Sequence, residues 1–404
     1  MKSLENSIAD HMDVLVNQIG ERPGGSPGCL EAEEYILVTL AANGWLVEKQ
    51  TFACPDWRDH GVEIKLNGLL LEAVANAYSP SCDVHGLIVS ISTLAELESA
   101  DLEDRIGVLY GTLLPAPLSP KSWFLLSERE NRIIHLLESK NPQALITVQR
   151  IGGGVERLVE DWEFTIPSAT VSAPVGKEIV TKDHPIIGLK ISTSKNPGST
   201  SNIVGRSGKN RNRVVICAHH DTKFGTPGAC DNGSGVAILL ALSEFLTKED
   251  YPFMLELVSF TNEEYMPIGD DEYLRRNGGD DLGDVIACIN IDGVGQILAP
   301  DSITAISTGR EFEGALRSMA LGYNDLEWVD PWPESNHSTF SFRGVPSVAF
   351  TSTNRVALAH HPYDDLNWSS PERISRLVPV IKHILDILAE HPWDWPRYGV
   401  EMPL

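Results

Sequence analysis

The sequence predicts an α/β fold with a mostly parallel central sheet flanked by helices, interrupted by an inserted β-rich lobe. The first observation is the length, because 404 residues suit two domains or one large domain with an insertion. The second is a series of apolar segments without alternation from Val214 onward, separated by helical segments, which is typical of strands buried on both faces of a sheet. The third is a change to short strands and frequent turn residues in the middle. We expect one domain over residues 1–70 and 184–404, and an inserted domain over residues 71–183.

The N-terminal region predicts two helices. Leu4, Ile8, Leu15 and Ile19 recur at helical spacing, which indicates an amphipathic helix rather than a signal peptide. A second helix follows a Gly- and Pro-rich loop and ends at Gly44. No apolar run in the sequence approaches the roughly 18 residues that a bilayer span requires.

From residue 214 onward, strands and helices follow each other regularly. The predicted elements are the strand RVVICA, the helix GVAILLALSEFL, the strands FMLELVSF and VIACINI, the helix EFEGALRSMAL, the strand PSVAF, and a final helix that SSPER opens. In the middle region we expect the strands GLIVSI, RIGVLYG, ALITV and IPSATVS around one helix, SERENRIIHLLES. No His, Cys or carboxylate cluster with ligand spacing occurs there, so we expect the lobe to carry no chemistry of its own.

The net charge and the cysteine pattern indicate which binding partners and which cell compartment to expect. The formal net charge is -24, and no Lys/Arg cluster interrupts it, so polyanionic partners such as nucleic acid and anionic membrane are not expected. The six cysteines lie far apart without a CxxC spacing, which is typical of reduced thiols in a cytoplasmic protein.

Polar clusters follow each of the main predicted strands. CAHHD follows the first, FTNEE the second, INID the third, and HHPYDD follows PSVAF within a dozen residues. Because ligands gather at the carboxyl ends of strands in open α/β sheets, these clusters predict one site. Its candidate residues are His219, Asp231, Glu263, Glu264, Asp292 and His361.

Carboxylates and imidazoles without a cysteine ligand suit two divalent cations, of which zinc is the expected one. Two such ions carry four positive charges, which three carboxylates and a bridging hydroxide would neutralise while the imidazoles bind in the neutral form. A single ion would leave excess negative charge buried. The pattern therefore predicts two ions.

These motifs resemble those of the zinc-dependent exopeptidases of the M28 aminopeptidase family. AHHDT matches its HxD element, PGACDNGSG its bridging-Asp loop, TNEE its paired glutamates, INIDGVG its later Asp, and HHPYDD its final His with an acid four residues on. The middle lobe resembles, more weakly, the protease-associated domain often inserted in such enzymes.

The resemblance implies that Asp231 bridges both ions, across a cis peptide bond to Asn232. Glu264 and His361 would complete one ion site. His219 and Asp292 would complete the other.

Two further residues receive roles in catalysis. The resemblance implies that Glu263 is the general base, taking the proton of a bridging water so that the hydroxide attacks a peptide carbonyl and then protonating the amine that leaves. Asp221, two residues past His219, suits an acceptor that fixes the tautomer of that imidazole.

Other histidines are expected to be structural. We interpret His220, His337 and His360 in this way, although His360 has an acid four residues on at Asp364, just as His361 has one at Asp365. The family's register favours His361.

Two stretches depart from the family pattern. SNHSTF has Asn336 where the family usually has an acid, and YMPIGDDEY follows the glutamate pair in place of a small, Gly-rich run. Both lie where substrate would be shaped, so they bear on specificity more than on catalysis.

The predicted function is an aminopeptidase that acts on peptide substrates, with three alternatives open. A carboxypeptidase would need a cation for the terminal carboxylate, and Arg343 and Arg355 are the nearby candidates. A glutaminyl-cyclase-like acyl transferase would use one ion on the same fold. A receptor-like homologue would have lost ligands, and none is missing here. The oligomeric state has no sequence signal.

Overall fold

The computed structural model describes residues 3–150, 155–182, 186–246, 249–353 and 358–399. Its strands are β1 (Leu46–Leu66), β2 (Leu69–Leu71), β3 (Val74–Ala75), β4 (Cys82–Ile91), β5 (Ile106–Leu109), β6 (Ala144–Val148), β7 (Ser168–Val171), β8 (Ile186–Ser207), β9 (Arg213–His219), β10 (Met254–Phe260), β11 (Val285–Ile291), β12 (Asp301–Ile306), β13 (Leu326–Trp328) and β14 (Ser347–Ser352).

The α-helices lie between these strands and at both ends of the chain. They are α1 (Leu4–Met12), α2 (Pro27–Ala42), α3 (Leu94–Ser99), α4 (Glu128–Lys140), α5 (Ala173–Val180), α6 (Ser234–Leu246), α7 (Ile268–Arg276), α8 (Arg310–Ala320), α9 (His337–Ser341) and α10 (Pro371–Ala389). Short π-helical segments, Asp13–Ile19 and Ala229–Gly233, continue α1 and precede α6.

The chain forms two compact units. The first comprises Met1–Cys54 and Ser199–Leu404, and the second comprises Pro55–Gly198. The expected boundary at 70/71 falls within the second unit, inside strand β2. The expected boundary at 183/184 lies outside the described residues.

The sheet of the first unit has the order β13-β12-β14-β11-β9-β10-β8. Strands β10, β9, β11 and β14 run parallel, while β8 and β12 run antiparallel to their neighbours β10 and β14. Every residue of β9 and β11 is buried, as expected for apolar strands with both faces covered. The predicted mostly parallel sheet flanked by helices is thus confirmed.

Helix α6 lies in the core of the first unit, and it is almost entirely apolar because neighbours surround it. Gly235, in its first turn, allows a close approach: a Cβ there would lie 2.6 Å from the Ile291 carbonyl oxygen at the end of β11. Within the described part of the chain, Ala229–Leu246 is the one helical stretch long and apolar enough to cross a membrane, and 89% of it is buried as a core helix would be.

The second unit contains a parallel run of strands, β4-β5-β6-β7, with β3 antiparallel to β7 at one edge. The four predicted strands of this region correspond to β4–β7, and the predicted helix is α4. Two further helices, α3 and α5, were not predicted, so the unit is richer in helix than the expected β-rich lobe. Helix α4 begins with a capping box in which Ser127 and Glu130 exchange hydrogen bonds.

Candidate metal centre

The predicted site residues lie where parallel strands end. His219 is the last residue of β9 and pairs with Phe260, the last residue of β10, while the Glu263–Glu264 pair follows three residues beyond. Asp292 directly follows β11, whose end pairs with the end of β14. Asp231 lies in the turn that precedes α6, where its φ of -115° and ψ of 90° are not helical.

Asp231 is central because its two carboxylate oxygens face two different imidazoles. Its Oδ1 lies 3.2 Å from Nε2 of His219, and its Oδ2 lies 3.1 Å from Nε2 of His360. The peptide bond between Asp231 and Asn232 is cis, as the family resemblance implied. The Asn232 side chain donates a hydrogen bond to the Ile291 carbonyl at 2.8 Å, which joins this turn to the end of β11.

The first imidazole, His219, is surrounded by acids. Its Nε2 lies 3.5 Å from Oδ1 of Asp292 and 4.0 Å from Oε2 of Glu263. Burial alone would lower the pKa of His219, but the nearby carboxylates, Glu263 and Asp292 first among them, raise it well above its usual value. An imidazole that is buried among acids can exchange its proton for a cation.

The second imidazole belongs to His360, and the expectation of His361 is corrected. His360 Nε2 lies 3.1 Å from Oε2 of Glu264 as well as 3.1 Å from Asp231. His361 Nδ1 instead accepts a hydrogen bond from the Tyr363 amide at 3.2 Å, and its ring lies against the Tyr363 ring. The physical reason is the turn, because His360 has a φ of 67° that directs its ring towards Asp231.

The acid four residues beyond His360 is part of the same arrangement. Asp364 is fully buried and accepts hydrogen bonds from the backbone amides of Cys230 and Asp231, at 2.9 and 3.0 Å. Burial raises the pKa of Asp364 to about 7. Asp365, the acid expected by the His361 register, instead caps the short turn that follows it by accepting from the Asn367 amide at 2.8 Å.

Asp221 connects His219 with the glutamate pair. Its carboxylate accepts hydrogen bonds from the backbone amides of both Glu263 and Glu264, each at 3.2 Å. His219 Nδ1 lies 3.1 Å from the Asp221 backbone carbonyl and 3.6 Å from its carboxylate. Nδ1 therefore donates to Asp221, which leaves the Nε2 lone pair towards Asp231 and Asp292.

Glu263 and Glu264 differ in their surroundings. Burial raises the pKa of Glu263 well above its usual value; the His219 imidazole opposes this rise, and the carboxylates of Asp292 and Glu264 reinforce it. Burial also raises the pKa of Glu264, while the His360 imidazole acts in the opposite direction. A raised pKa suits a group that accepts and returns a proton.

The donor set fits divalent metal ions. His219 Nε2 and Asp292 Oδ1 are buried without a hydrogen-bond partner among the described residues. Such atoms are costly in a protein interior unless a ligand satisfies them. His219 and Asp292 on one side of Asp231, and His360 and Glu264 on the other, would hold one ion each.

The remaining histidines and cations that the sequence singles out have separate places. His337 Nε2 bonds the Trp332 carbonyl at 2.6 Å, consistent with its structural interpretation. Arg343, a candidate for binding a substrate carboxylate, pairs with Asp280 at 2.8 Å and donates to the Thr339 carbonyl. Arg355 lies outside the described residues.

Sequence reasoning missed Arg22. Its fully buried guanidinium donates to five backbone carbonyls, which belong to Leu15, Gly20, His220, Pro227 and Gly228. Burial lowers its pKa to about 10. The only signal in the sequence is one arginine in a Gly- and Pro-rich loop, ERPGG, and such a loop usually exposes its charges.

Fold and site together define a metal-dependent hydrolase. Residues 202–385 match the family model for Peptidase family M28. The chain is a metallopeptidase hydrolase, as predicted.

One relative is named as an aminopeptidase, and two solved structures share the fold. The chain is 25% identical over 378 residues to "Probable lipoprotein aminopeptidase LpqL" of Mycobacterium tuberculosis, covering 85% of this chain and 72% of that one. Its fold resembles the zinc aminopeptidase BSAP of Bacillus subtilis, with a TM-score of 0.78 and 17% identity over 99% of this chain and 100% of that one. Porphyromonas gingivalis glutaminyl cyclase is a more distant structure, with a TM-score of 0.51 and 14% identity over 95% of this chain and 98% of that one.

Proposed function

We propose that the protein is a co-catalytic di-zinc aminopeptidase that releases N-terminal residues from peptides. The observation that carries the proposal is that each carboxylate oxygen of Asp231 faces a different imidazole. The distances are 3.2 Å to His219 and 3.1 Å to His360. One carboxylate facing two imidazoles in this way suits a bridging ligand. Asp292 and Glu264 then add one carboxylate to each side.

The residues of the site divide the chemistry among them. Two bound divalent ions would supply a water of lowered pKa and a polarised substrate carbonyl. Glu263 is placed to take the proton from that water, because its carboxylate lies 4.0 Å from His219 Nε2 and is not needed as a ligand. The same carboxyl group then protonates the amine that leaves. Asp221 holds the backbone of the Glu263–Glu264 pair in place.

Charge favours an aminopeptidase over a carboxypeptidase. The site gathers acids, which suit the ammonium group of a free N-terminus, and Arg343 is already paired with Asp280. The names of the relatives point to the same activity. A glutaminyl-cyclase-like transferase shares the fold and would need only one ion.

The test is a cleavage screen on metal-saturated protein with matched free and N-acetylated peptides, together with elemental analysis. We expect at least two zinc ions per chain and release of the first residue from the free peptides alone. Cleavage from the C-terminus of blocked peptides would establish a carboxypeptidase. One ion with pyroglutamate formation from an N-terminal glutamine would establish the cyclase, and two ions without turnover would indicate a receptor-like homologue.

The remaining expectations extend the proposal. The inserted unit would be a protease-associated-like domain that contributes no metal ligand, and the chain would act in the cytoplasm on peptides, without nucleic acid or membrane as partners. The cysteines support a reducing compartment because Cys29, Cys82, Cys217, Cys230 and Cys288 are free thiols. Localisation of the tagged protein in its own cells would test the compartment.

A further inference from the structure

A second cluster of metal-ligating side chains lies behind the catalytic strand end. Cys29 and Glu33 are one helical turn apart on α2, so both project from the same face of that helix. His220 directly follows β9 and is next to His219 in the chain. The potential ligand atoms of Cys29, Glu33 and His220 all lie within 4.8 Å of one another, and all three residues are fully buried.

The imidazole of His220 has an atom that the protein leaves unsatisfied. Its Nδ1 lies 2.9 Å from the Ser259 hydroxyl, whereas its buried Nε2 has no hydrogen-bond partner among the described residues. With the proton on Nδ1, donated to Ser259, Nε2 carries a lone pair directed away from that contact. A metal ion would satisfy this buried nitrogen, which lies near a thiol and a carboxylate.

The Glu33 carboxylate is held in a fixed orientation. Its Oε1 accepts hydrogen bonds from the Thr200 hydroxyl and the Ser201 amide, both at 2.7 Å, and its Oε2 pairs with Lys49 at 3.0 Å. Such contacts to a coordinating carboxylate are typical of the surroundings of protein metal ligands.

The cysteine sulfur is close to the other possible ligands. Cys29 Sγ lies 3.9 Å from Glu33 Oε1, 3.3 Å from the Thr200 hydroxyl and 3.4 Å from the Thr261 hydroxyl. Ligands at zinc bond lengths stand roughly 3.3–3.8 Å apart in a tetrahedron, so the cluster needs to contract by about 1 Å. A hydroxyl or a water would complete four ligands.

We infer that Cys29, Glu33 and His220 bind a further zinc ion, separate from the proposed catalytic pair, that fixes α2 against the end of β9. A thiolate and a carboxylate neutralise a divalent ion, and sulfur with nitrogen favours zinc over magnesium or calcium. Because it uses sulfur, this site is chemically distinct from the catalytic cluster, whose ligands are imidazoles and carboxylates. The inference does not depend on the proposed function.

The sulfur ligand makes the site measurable through cobalt. Protein produced in cobalt-supplemented medium takes up the ion as it folds, and a thiolate bound to cobalt gives a near-ultraviolet charge-transfer absorption that imidazoles and carboxylates do not give. We expect this absorption in the wild-type protein and one ion per chain beyond those of the catalytic cluster, which makes three in all with the proposed pair. Two ions without the absorption would overturn the inference, and this result requires no variant to fold.

Matched variants assign the absorption. Cys29→Ser should abolish it and lower the ion count by one, while Cys54→Ser, a change at another buried thiol, should leave both unchanged. His360→Ala should lower the count and keep the absorption, which separates this site from the proposed catalytic pair. An absorption that survives in Cys29→Ser would show that another cysteine holds the ion, and would refute the inference.

Discussion

The side-chain amide of Asn336 donates to both carboxylate oxygens of Asp270, at 3.2 and 3.0 Å. The two residues come from the two stretches that depart from the family pattern, SNHSTF and YMPIGDDEY. The departures are therefore complementary. The Asn336 amide gives the buried Asp270 carboxylate a hydrogen-bond donor, whereas the acid that the family usually has there would place a second negative charge beside it.

This pair makes stability depend on pH with a definite sign. Burial raises the pKa of Asp270 to about 6, whereas an unfolded aspartate titrates near 3.9. The folded state thus binds more protons between these values, so the contribution of Asp270 to the free energy of unfolding is fully present below about pH 4 and falls by about 3 kcal/mol as pH rises through 6. Urea denaturation of wild-type protein and Asp270→Asn from pH 4 to 7 checks this. The difference between the two curves should change with pH, and a constant difference would contradict the assignment.

Replacing Asn336 by aspartate should destabilise the protein at neutral pH. Two buried carboxylates would then face each other without the amide donor, and one of them would have to take up a proton. Asn336→Asp should recover part of its lost stability when the pH is lowered to 5. Equal stability of Asn336→Asp and wild-type protein at pH 7 would show that the pairing with Asp270 has no energetic weight.

The adjacent glutamates should separate catalysis from metal binding. Glu263→Gln should keep both ions and lose at least the 10²–10⁴-fold in turnover that is typical of a positioned general base. Glu264→Gln should weaken binding of one ion, because a charged ligand beside His360 is removed. Metal content and turnover are measured on both variants together. A Glu263→Gln protein that loses metal, or that stays active with metal bound, would contradict the roles assigned to the two glutamates.

The neighbouring histidines offer a similarly matched pair. His360→Ala should lower the metal content by about one ion per chain, since its Nε2 faces Asp231 and Glu264. His361→Ala should retain both ions, because the His361 ring faces Tyr363. Elemental analysis after dialysis against a dilute chelator distinguishes the two. Loss of an ion in His361→Ala alone would restore the register expected from the sequence.

Asp364 should orient the loop that carries Asp231, because it accepts hydrogen bonds from the backbone amides of Cys230 and Asp231. Asp364→Asn leaves one acceptor oxygen for two backbone amides, so the loop that carries Asp231 should lose part of its orientation. We expect metal affinity to fall by about 10–100-fold, as is typical when the partner of a ligand is removed. Asp365→Asn is the control, since its side chain caps the following turn. Equal affinities in the two variants, measured by competition with a chelator, would contradict this.

The fold was predictable where strands are uniformly apolar. Buried segments such as VVICA specify strands with both faces covered, and the polar residues that follow them must then meet at one edge. Strands β12 and β13 were missed, because short segments with mixed polarity do not differ from loops in sequence alone. The helices α3 and α5 were missed for a similar reason, since each has fewer than nine residues.

The site was predictable at strand ends and not in its connecting turn. His219 and Asp292 adjoin strands whose register fixes their position. His360 and His361 each have an acid four residues on, so spacing could not decide between them. The decision depends on the positive φ of His360, a property of how the turn folds onto the Asp231 loop. The pairing of Asn336 with Asp270 and the proximity of Cys29 to His220 join distant segments, which no local pattern reveals.

The five carbonyls that Arg22 gathers come from three separate stretches: the end of the N-terminal helical segment, the residue after His219, and the loop leading into Asp231. The N-terminal segment is therefore required for the structure of the catalytic unit, although it contributes none of the proposed catalytic ligands. A cut after Gly20 would take two of the five acceptors away from a buried cation, and the remaining three all adjoin the residues that are to hold the ions. Proteolytic nicking near this point would inactivate the enzyme from a distance, by freeing the loop before Asp231 rather than by removing any group that meets the substrate.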